Sequence, residues 1–251
     1  MFSILIRRSA LWLCSGLALM LAAQAQAGIV LNTTRVIYPA ADKEVGLQVH
    51  NTGTEEILAQ SWLETDGDNS SSGTPPFAIT PALARMPGNA KQLIRIIYSG
   101  EGMPPDRESV LWLNVQEIPQ TASENQLQIA IRQRIKMFYR PQGLIQDPRN
   151  AAQMLRWQLR DGRLEVSNPG PFHVSMIKLE GRQQGHVVFE QDSRMLAPGQ
   201  QLHLPLEHAP KAQPLELAFI SINDFGAQER YHASVSGEQS TQASKAESRS
   251  D

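Results

Sequence analysis

From residue 29 onward the chain alternates apolar and polar positions in short runs, and residues two apart on a strand share a face. Such runs cover Ile29 to Leu31, Thr34 to Tyr38, Glu44 to Asn51, Ile57 to Glu64, Phe77 to Thr80, Ala82 to Met86, Lys91 to Tyr98, Ser109 to Glu117 and Leu127 to Tyr139. β-Branched and aromatic residues fill them. Turn-forming stretches separate them, among them Asn51-Thr52-Gly53, the polar run from Asp66 to Gly73, Pro87-Gly88-Asn89 and Pro104-Pro105-Asp106. No window holds a sustained helical period, and Ala151 to Leu159 comes nearest. The pattern predicts an all-β chain that opens with an immunoglobulin-like sandwich of about seven strands, a closed barrel being the competing architecture.

A second set of runs, Leu164 to Asn168, Val174 to Leu179, His186 to Phe189, Gln201 to Pro205, Leu215 to Asn223 and Glu229 to Ser234, predicts a second, smaller sandwich. Between the sets, Pro141 to Arg149 combines two prolines and a glycine with little apolar content and reads as a linker. The expected division is therefore 28–146 and 147–236. The stretch from Gly237 to Asp251 has no aromatic or large aliphatic residue, so a disordered tail is expected there.

The start of the chain follows a different pattern. Arg7 and Arg8 precede an apolar run from Ala10 to Ala23 that is short for a membrane span, and Ala25-Gln26-Ala27 is an A-x-A cleavage site. Residues 1–27 read as a secretory signal and Gly28 as the first mature residue. The single cysteine, Cys14, lies in this segment, in a Leu-Trp-Leu-Cys context without the small residues of a lipoprotein cleavage site. An exported chain without disulfides must rely on hydrophobic cores. A periplasmic address is expected. The net charge of −2 becomes more negative once Arg7 and Arg8 are lost, which gives no support to nucleic-acid binding. No later apolar run is long enough to insert in a membrane.

Signatures of catalysis are scarce: there is no G-x-S-x-G, H-E-x-x-H, phosphate-cradling G-x-x-x-x-G-K or C-x-x-C. The histidines at 50, 173, 186, 203, 208 and 232 are scattered and read as solvated loop residues, so no metal and no cofactor are expected. Asp66 and Asp68, the nearest thing to a catalytic carboxylate pair, sit in a Ser/Gly-rich polar stretch. What stands out is charge inside strands. Arg35 precedes Val36-Ile37-Tyr38, and Lys136 lies between Ile135 and Met137 in LQIAIRQRIKMFYRP. By parity Arg132, Arg134 and Lys136 share one face of that strand, while Leu127, Ile129, Ile131, Ile135 and Met137 share the other. Such a strand is a candidate interaction surface.

Five stretches, in order, resemble the periplasmic chaperones of the chaperone/usher pathway, which fold and cap pilus subunits. They are TTRVIYPA (33–40), LAQSWLE (58–64), DRESVLWLNVQEIP (106–119), LQIAIRQRIKMFYRP (127–141) and INDFGA (222–227). The resemblance implies two immunoglobulin-like β-sandwich domains in a boomerang arrangement, and no catalysis. It implies that Leu127, Ile129 and Ile131 fill the groove of a pilus or fimbrial subunit that lacks its last strand, that Arg35 and Lys136 anchor the subunit's terminal carboxylate, and that Glu108, Arg140 and Asp224 form an ion-pair network between the domains. An outer-membrane usher is the second implied partner.

The short connection between Glu117 and Leu127 is similar to the short-loop subgroup, whose members generally serve rod-like adhesive pili or fimbriae. Glu56 departs from the family, which often has Pro before the L-[AV]-Q-[SA]-W strand at a place implicated in usher docking. Pro87-Gly88-Asn89 is shifted by one residue relative to the family turn, and Ala82 stands where a second Pro is frequent. The alternative reading is a structural pilus subunit or adhesin built of similar domains, but that leaves Arg35 and Lys136 without a purpose.

Overall fold

The computed structural model describes residues 28–65, 74–120, 128–160, 162–206 and 213–246. The expected signal segment, Leu127, Asp66, Asp68, His208 and residues 247–251 lie outside them.

The first half is built from β1 (Ile29–Leu31), β2 (Arg35–Pro39), β3 (Val45–Asn51), β4 (Ile57–Thr65), β5 (Phe77–Thr80), β6 (Leu83–Met86), β7 (Lys91–Tyr98), β8 (Ser109–Pro119) and β9 (Arg132–Arg140). They form two open sheets, ordered β1-β3-β7-β5 and β2-β9-β8-β4-β6, so the architecture is a sandwich and not a closed barrel. The alternation explains the core. Leu47 and Val49 of β3, Ile94 and Ile96 of β7, Leu111, Leu113 and Val115 of β8, and Met137 and Tyr139 of β9 point between the sheets and are buried. Buried Asn51 closes one corner, its Nδ2 donating to the carbonyls of Glu55 and Met86 at 2.8 and 3.2 Å and its Oδ1 accepting from Gly53 N at 3.0 Å.

The second half repeats the plan with β10 (Arg156–Arg160), β11 (Arg163–Ser167), β12 (Val174–Gln183), β13 (His186–Leu196), β14 (Gln201–Pro205), β15 (Leu215–Ile222), β16 (Gln228–Val235), β17 (Thr241–Gln242) and β18 (Ser244–Lys245). Its sheets run β14-β11-β10-β17 and β13-β12-β15-β16-β18 around a separate core that includes Trp157, Leu164, Val166, Phe172, Leu217 and Phe219. Asn168 plays the corner role of Asn51, donating to Phe172 O at 2.7 Å and accepting from Gly170 N at 3.1 Å.

Several expectations are corrected. The stretch from Ala151 to Leu159 splits into one helical turn, Ala151–Met154, and strand β10, in which Trp157 and Leu159 are buried and their neighbours are not. Strands β12 and β13 extend well past the expected ends. Polar residues such as Glu180, Arg182, Glu190 and Arg194 face outward there and hide the strand pattern, while Gln184 and Gly185, both at positive φ, make the hairpin turn. The tail is not disordered through residue 246: β17 pairs with β10, β18 pairs with β16, and Ala243 is buried between them. Backbone pairing at sheet edges needs no large apolar side chain, so composition misses it.

Strand β9 begins at Arg132 and not at Leu127. Ahead of Arg132, Glu117 N–H donates to Ile131 O at 2.9 Å and Gln128 Nε2 donates to Gln120 O, and beyond Glu117 strand β8 keeps its pairing with β4 only.

Candidate functional site

Strands β2 and β9 make the one parallel ladder among the described strands, and its first rung is Arg35 opposite Lys136. Two cations a hundred residues apart in sequence thus come to adjacent positions on the face of the sheet turned away from its core. The Arg35 guanidinium lies 5.6 Å from the centroid of the Phe138 ring and donates through Nη1 to Ile222 O of the second sandwich at 2.9 Å. Its Nε is buried without a hydrogen-bond partner. Burial pulls the Arg35 pKa below its ordinary value, and the nearby Asp224 and Glu108 carboxylates oppose that shift. Lys136 Nζ lies 5.5 Å from the ring centre of Trp112, the residue opposite it on β8.

The same face carries the rest of the cationic row. Arg134 stacks on Trp112 at 4.0 Å and Arg132 lies over Trp62 at 5.6 Å. Glu64, which accepts from Trp62 Nε1 at 2.8 Å, lies 3.5 Å from Arg134. The Trp62 bond is the main reason the Glu64 carboxyl sits below the usual range. The expected polar face of the strand is therefore a row of cations ordered on tryptophan rings.

Beside this row the sheet has an open edge. Because β2 first meets β9 at Lys136, residues Arg132 to Ile135 pair with β8 on one side and with no described strand on the other. Upstream, Ile129 is 69 % exposed and Ile131 37 % exposed, which is unusual for isoleucines that continue the parity of buried Met137.

Glu108, Arg140 and Asp224 do converge. Arg140 Nε donates to Glu108 Oε2 at 2.7 Å, and its two terminal nitrogens bind the Asp224 carboxylate bidentately at 2.6 and 2.7 Å. Burial works against the Arg140 charge, but the Asp224 and Glu108 carboxylates outweigh it and raise the pKa. The sequence reading missed a fourth member. His173, expected to be a solvated loop residue, has a side chain only 5 % exposed and gives Glu108 Oε1 a backbone N–H at 2.8 Å and an Nδ1 contact at 2.9 Å. Nothing in the local sequence signals this, because the Pro-Gly-Pro-Phe stretch before it reads as a turn. These groups and Arg35 line a cleft of about 160 Å³ between the sandwiches. Glu56, the departure from the family pattern, is ion-paired to Arg85 at 2.7 Å on the far edge of the sheet.

Two sandwiches joined through an ion-pair network, with a cationic row next to a strand edge that no described strand covers and exposed isoleucines, leave an edge of the kind to which another strand can add. The sequence patterns of known families agree. Residues 28–145 match the pili and flagellar-assembly chaperone, PapD N-terminal domain, and residues 150–233 match the pili assembly chaperone PapD, C-terminal domain. The chain belongs to this family of pilus-assembly chaperones.

Among its relatives is the probable fimbrial chaperone YadV of Escherichia coli K12, 38 % identical over 216 residues that span 80 % of this chain and 87 % of YadV. The crystal structure of YadV superposes with a TM-score of 0.71 at 36 % identity, covering 83 % of this chain and 100 % of that one. The chaperone protein FimB/FhaD of Bordetella pertussis is 37 % identical over 231 residues, 86 % of this chain and 91 % of that one. A structure of the Salmonella enterica SafA pilin in complex with the SafB chaperone matches with a TM-score of 0.68 at 27 % identity, covering 84 % of this chain and 97 % of that one.

Proposed function

We propose that this chain is a periplasmic chaperone that captures fimbrial subunits by lending them residues 127–135 as a strand, and hands them to an outer-membrane usher. The single observation that carries this reading is the coincidence of the open β9 edge with the Arg35–Lys136 rung. A subunit strand lying along Arg132 to Ile135 runs out of room where β2 begins, at those two cations. If it enters with its carboxylate toward Lys136, it lies parallel to β9, as β2 does. Charge-assisted bonds to a carboxylate contribute about 1.5 to 3 kcal/mol each, and a fixed end sets the register, since a one-residue slip would present the wrong face.

Leu127, Ile129 and Ile131 are the side chains that enter the subunit's groove. Their exposure in the free protein supports this role for the two described ones. Glu108, Arg140, Asp224 and His173 hold the two sandwiches so that the second one frames the cleft. Division near residue 146 fits the two separate cores, the second unit reaching through the paired strands at 241–245 and not ending at 236, and removal of residues 1–27 on export fits the periplasmic setting. The mechanism invokes no catalytic step and no cofactor. The alternative of a pilus subunit or adhesin has no use for the paired cations or the ordered row behind them.

The test is co-purification of the mature protein with its fimbrial subunit from the periplasm, using Arg35→Ala and Lys136→Ala. Both variants are expected to fold and to lose the subunit. Arg35→Ala also removes the bond to Ile222 O, so Lys136→Ala is the cleaner probe of the anchor. Undiminished co-purification by both would overturn the assignment.

A further inference from the structure

We propose that Glu117 is the counter-ion of the α-ammonium group created at Gly28 when residues 1–27 are removed. The proposal rests on the export reading above, which puts the cut after Ala27. Hydrolysis of that amide adds water, leaving a carboxylate on Ala27 and an amine on Gly28 that takes a proton.

Glu117 lies near the end of β8, opposite Ala59, and is 8 % exposed. Its Oε2 is buried and has no hydrogen-bond partner. A buried carboxylate without a partner is costly and calls for a cation or a donor. Burial is what pushes its carboxyl up, with no charged side chain contributing. The group it packs against is Gly28: a Cβ there would fall 1.8 Å from Oε2 and 2.2 Å from Oε1. The Gly28 nitrogen, ~2.5 Å from that Cβ position by tetrahedral geometry, therefore lies within about 4.3 Å of Oε2. Among the described residues no other cation is placed to serve this carboxylate.

The terminus is held so that it cannot drift from this partner. Gly28 O accepts from Thr52 N at 2.9 Å, Ile29 is 1 % exposed and paired with Asn51, and Ile29 O accepts from Gln133 Nε2 at 2.7 Å. A larger first residue would displace the carboxylate, so glycine at this position is itself part of the arrangement. The same Glu117 gives its backbone N–H to Ile131 O, so the processed terminus and the base of the lent segment meet on one residue. Cleavage of the leader thereby supplies a missing charge at the root of the strand that engages the subunit.

The experiment uses mature protein purified from the periplasm. Its intact mass gives the first residue, and the α-amino pKa is read by competitive acylation of Gly28 across a pH series. The expected result is an amine whose pKa lies at least one unit above the ordinary value of about 7.7 to 8.0, a tenfold gain in proton affinity. In Glu117→Gln that gain is lost. A second arm compares the mature chain with one that starts at Met followed by Ala27, in which Gly28 keeps its amide. Glu117→Gln is expected to lower the melting temperature of the first and not of the second. An unshifted amine, or equal effects in the two chains, overturns the pairing while leaving the export reading intact. A mass that begins elsewhere overturns both. Should Glu117→Gln fail to fold, the wild-type amine pKa alone still decides the matter.

Discussion

At the scale of single residues, charge is placed where water is scarce. Glu108 has a side chain 1 % exposed and two partners, Arg140 and His173. Truncating Arg140 to Ala leaves a buried carboxylate with only the histidine, and the expected loss is about 3 to 5 kcal/mol in denaturant unfolding. Arg140→Lys is expected to recover only part of it, because an ammonium cannot reproduce the forked contact with Asp224. Sequence motifs pointed to Glu108, Arg140 and Asp224 but not to His173. Its value comes entirely from the partner that the fold delivers, and a histidine in a proline-rich turn looks the same whether it is solvated or enclosed.

At the scale of elements, the segment leading into β9 and the aromatic cluster at the cleft end of the first sandwich behave oppositely. Ile129→Ala and Ile131→Ala remove exposed side chains, so each is expected to change the stability of the free protein by no more than about 0.5 kcal/mol. Each should weaken subunit binding by about tenfold to a hundredfold in a calorimetric titration, from the loss of roughly 1.5 to 3 kcal/mol of burial in the complex. Equal losses in stability and binding would sink the strand-lending role.

Tyr38, Phe77, Tyr98 and Tyr139, by contrast, pack as one cluster between the sheets. Burial, and then its contact with Tyr98, pushes the Tyr139 phenol up to about 12. A folded pKa above the unfolded value means that the neutral phenol favours the fold below about pH 10, and that this contribution is lost as pH rises toward 12. Stability measured across that window should fall, and the fall should be shallower in Tyr139→Phe. Most strand positions were legible from alternation because one face of each sheet is buried. The start of β9 was not, because alternation marks side chains that want a groove without saying whether the groove belongs to the same chain.

At the scale of the molecule, the contacts between the sandwiches include the bidentate Arg140–Asp224 pair, the His173–Glu108 contacts, the Glu108 N–H donating to Pro171 O, the Arg35–Ile222 bond and the packing of Phe138 on His173 and of Arg140 on Phe172. Asp224 is partly exposed, so Asp224→Ala is expected to cost only about 1 kcal/mol in stability. Its larger effect should be a broader distribution of intramolecular distances in small-angle scattering, with subunit capture reduced less than by Lys136→Ala. An unchanged scattering profile would mean that the remaining contacts suffice to fix the angle.

The all-β class, the two sandwiches and the unusual strand cations were legible along the chain, because burial on one face of a strand writes itself as a period of two. The sequence also carried, through recognisable motifs, the residues of the ion-pair network. It took the fold to bring Arg35 and Lys136 to one rung, to leave the edge beside them open, to add the last described strands at sheet edges and to pack Glu117 on Gly28. Those facts depend on which backbone lies next to which. Strand pairing is made by main-chain groups that every residue carries, so the order of strands in a sheet leaves little trace in the side chains.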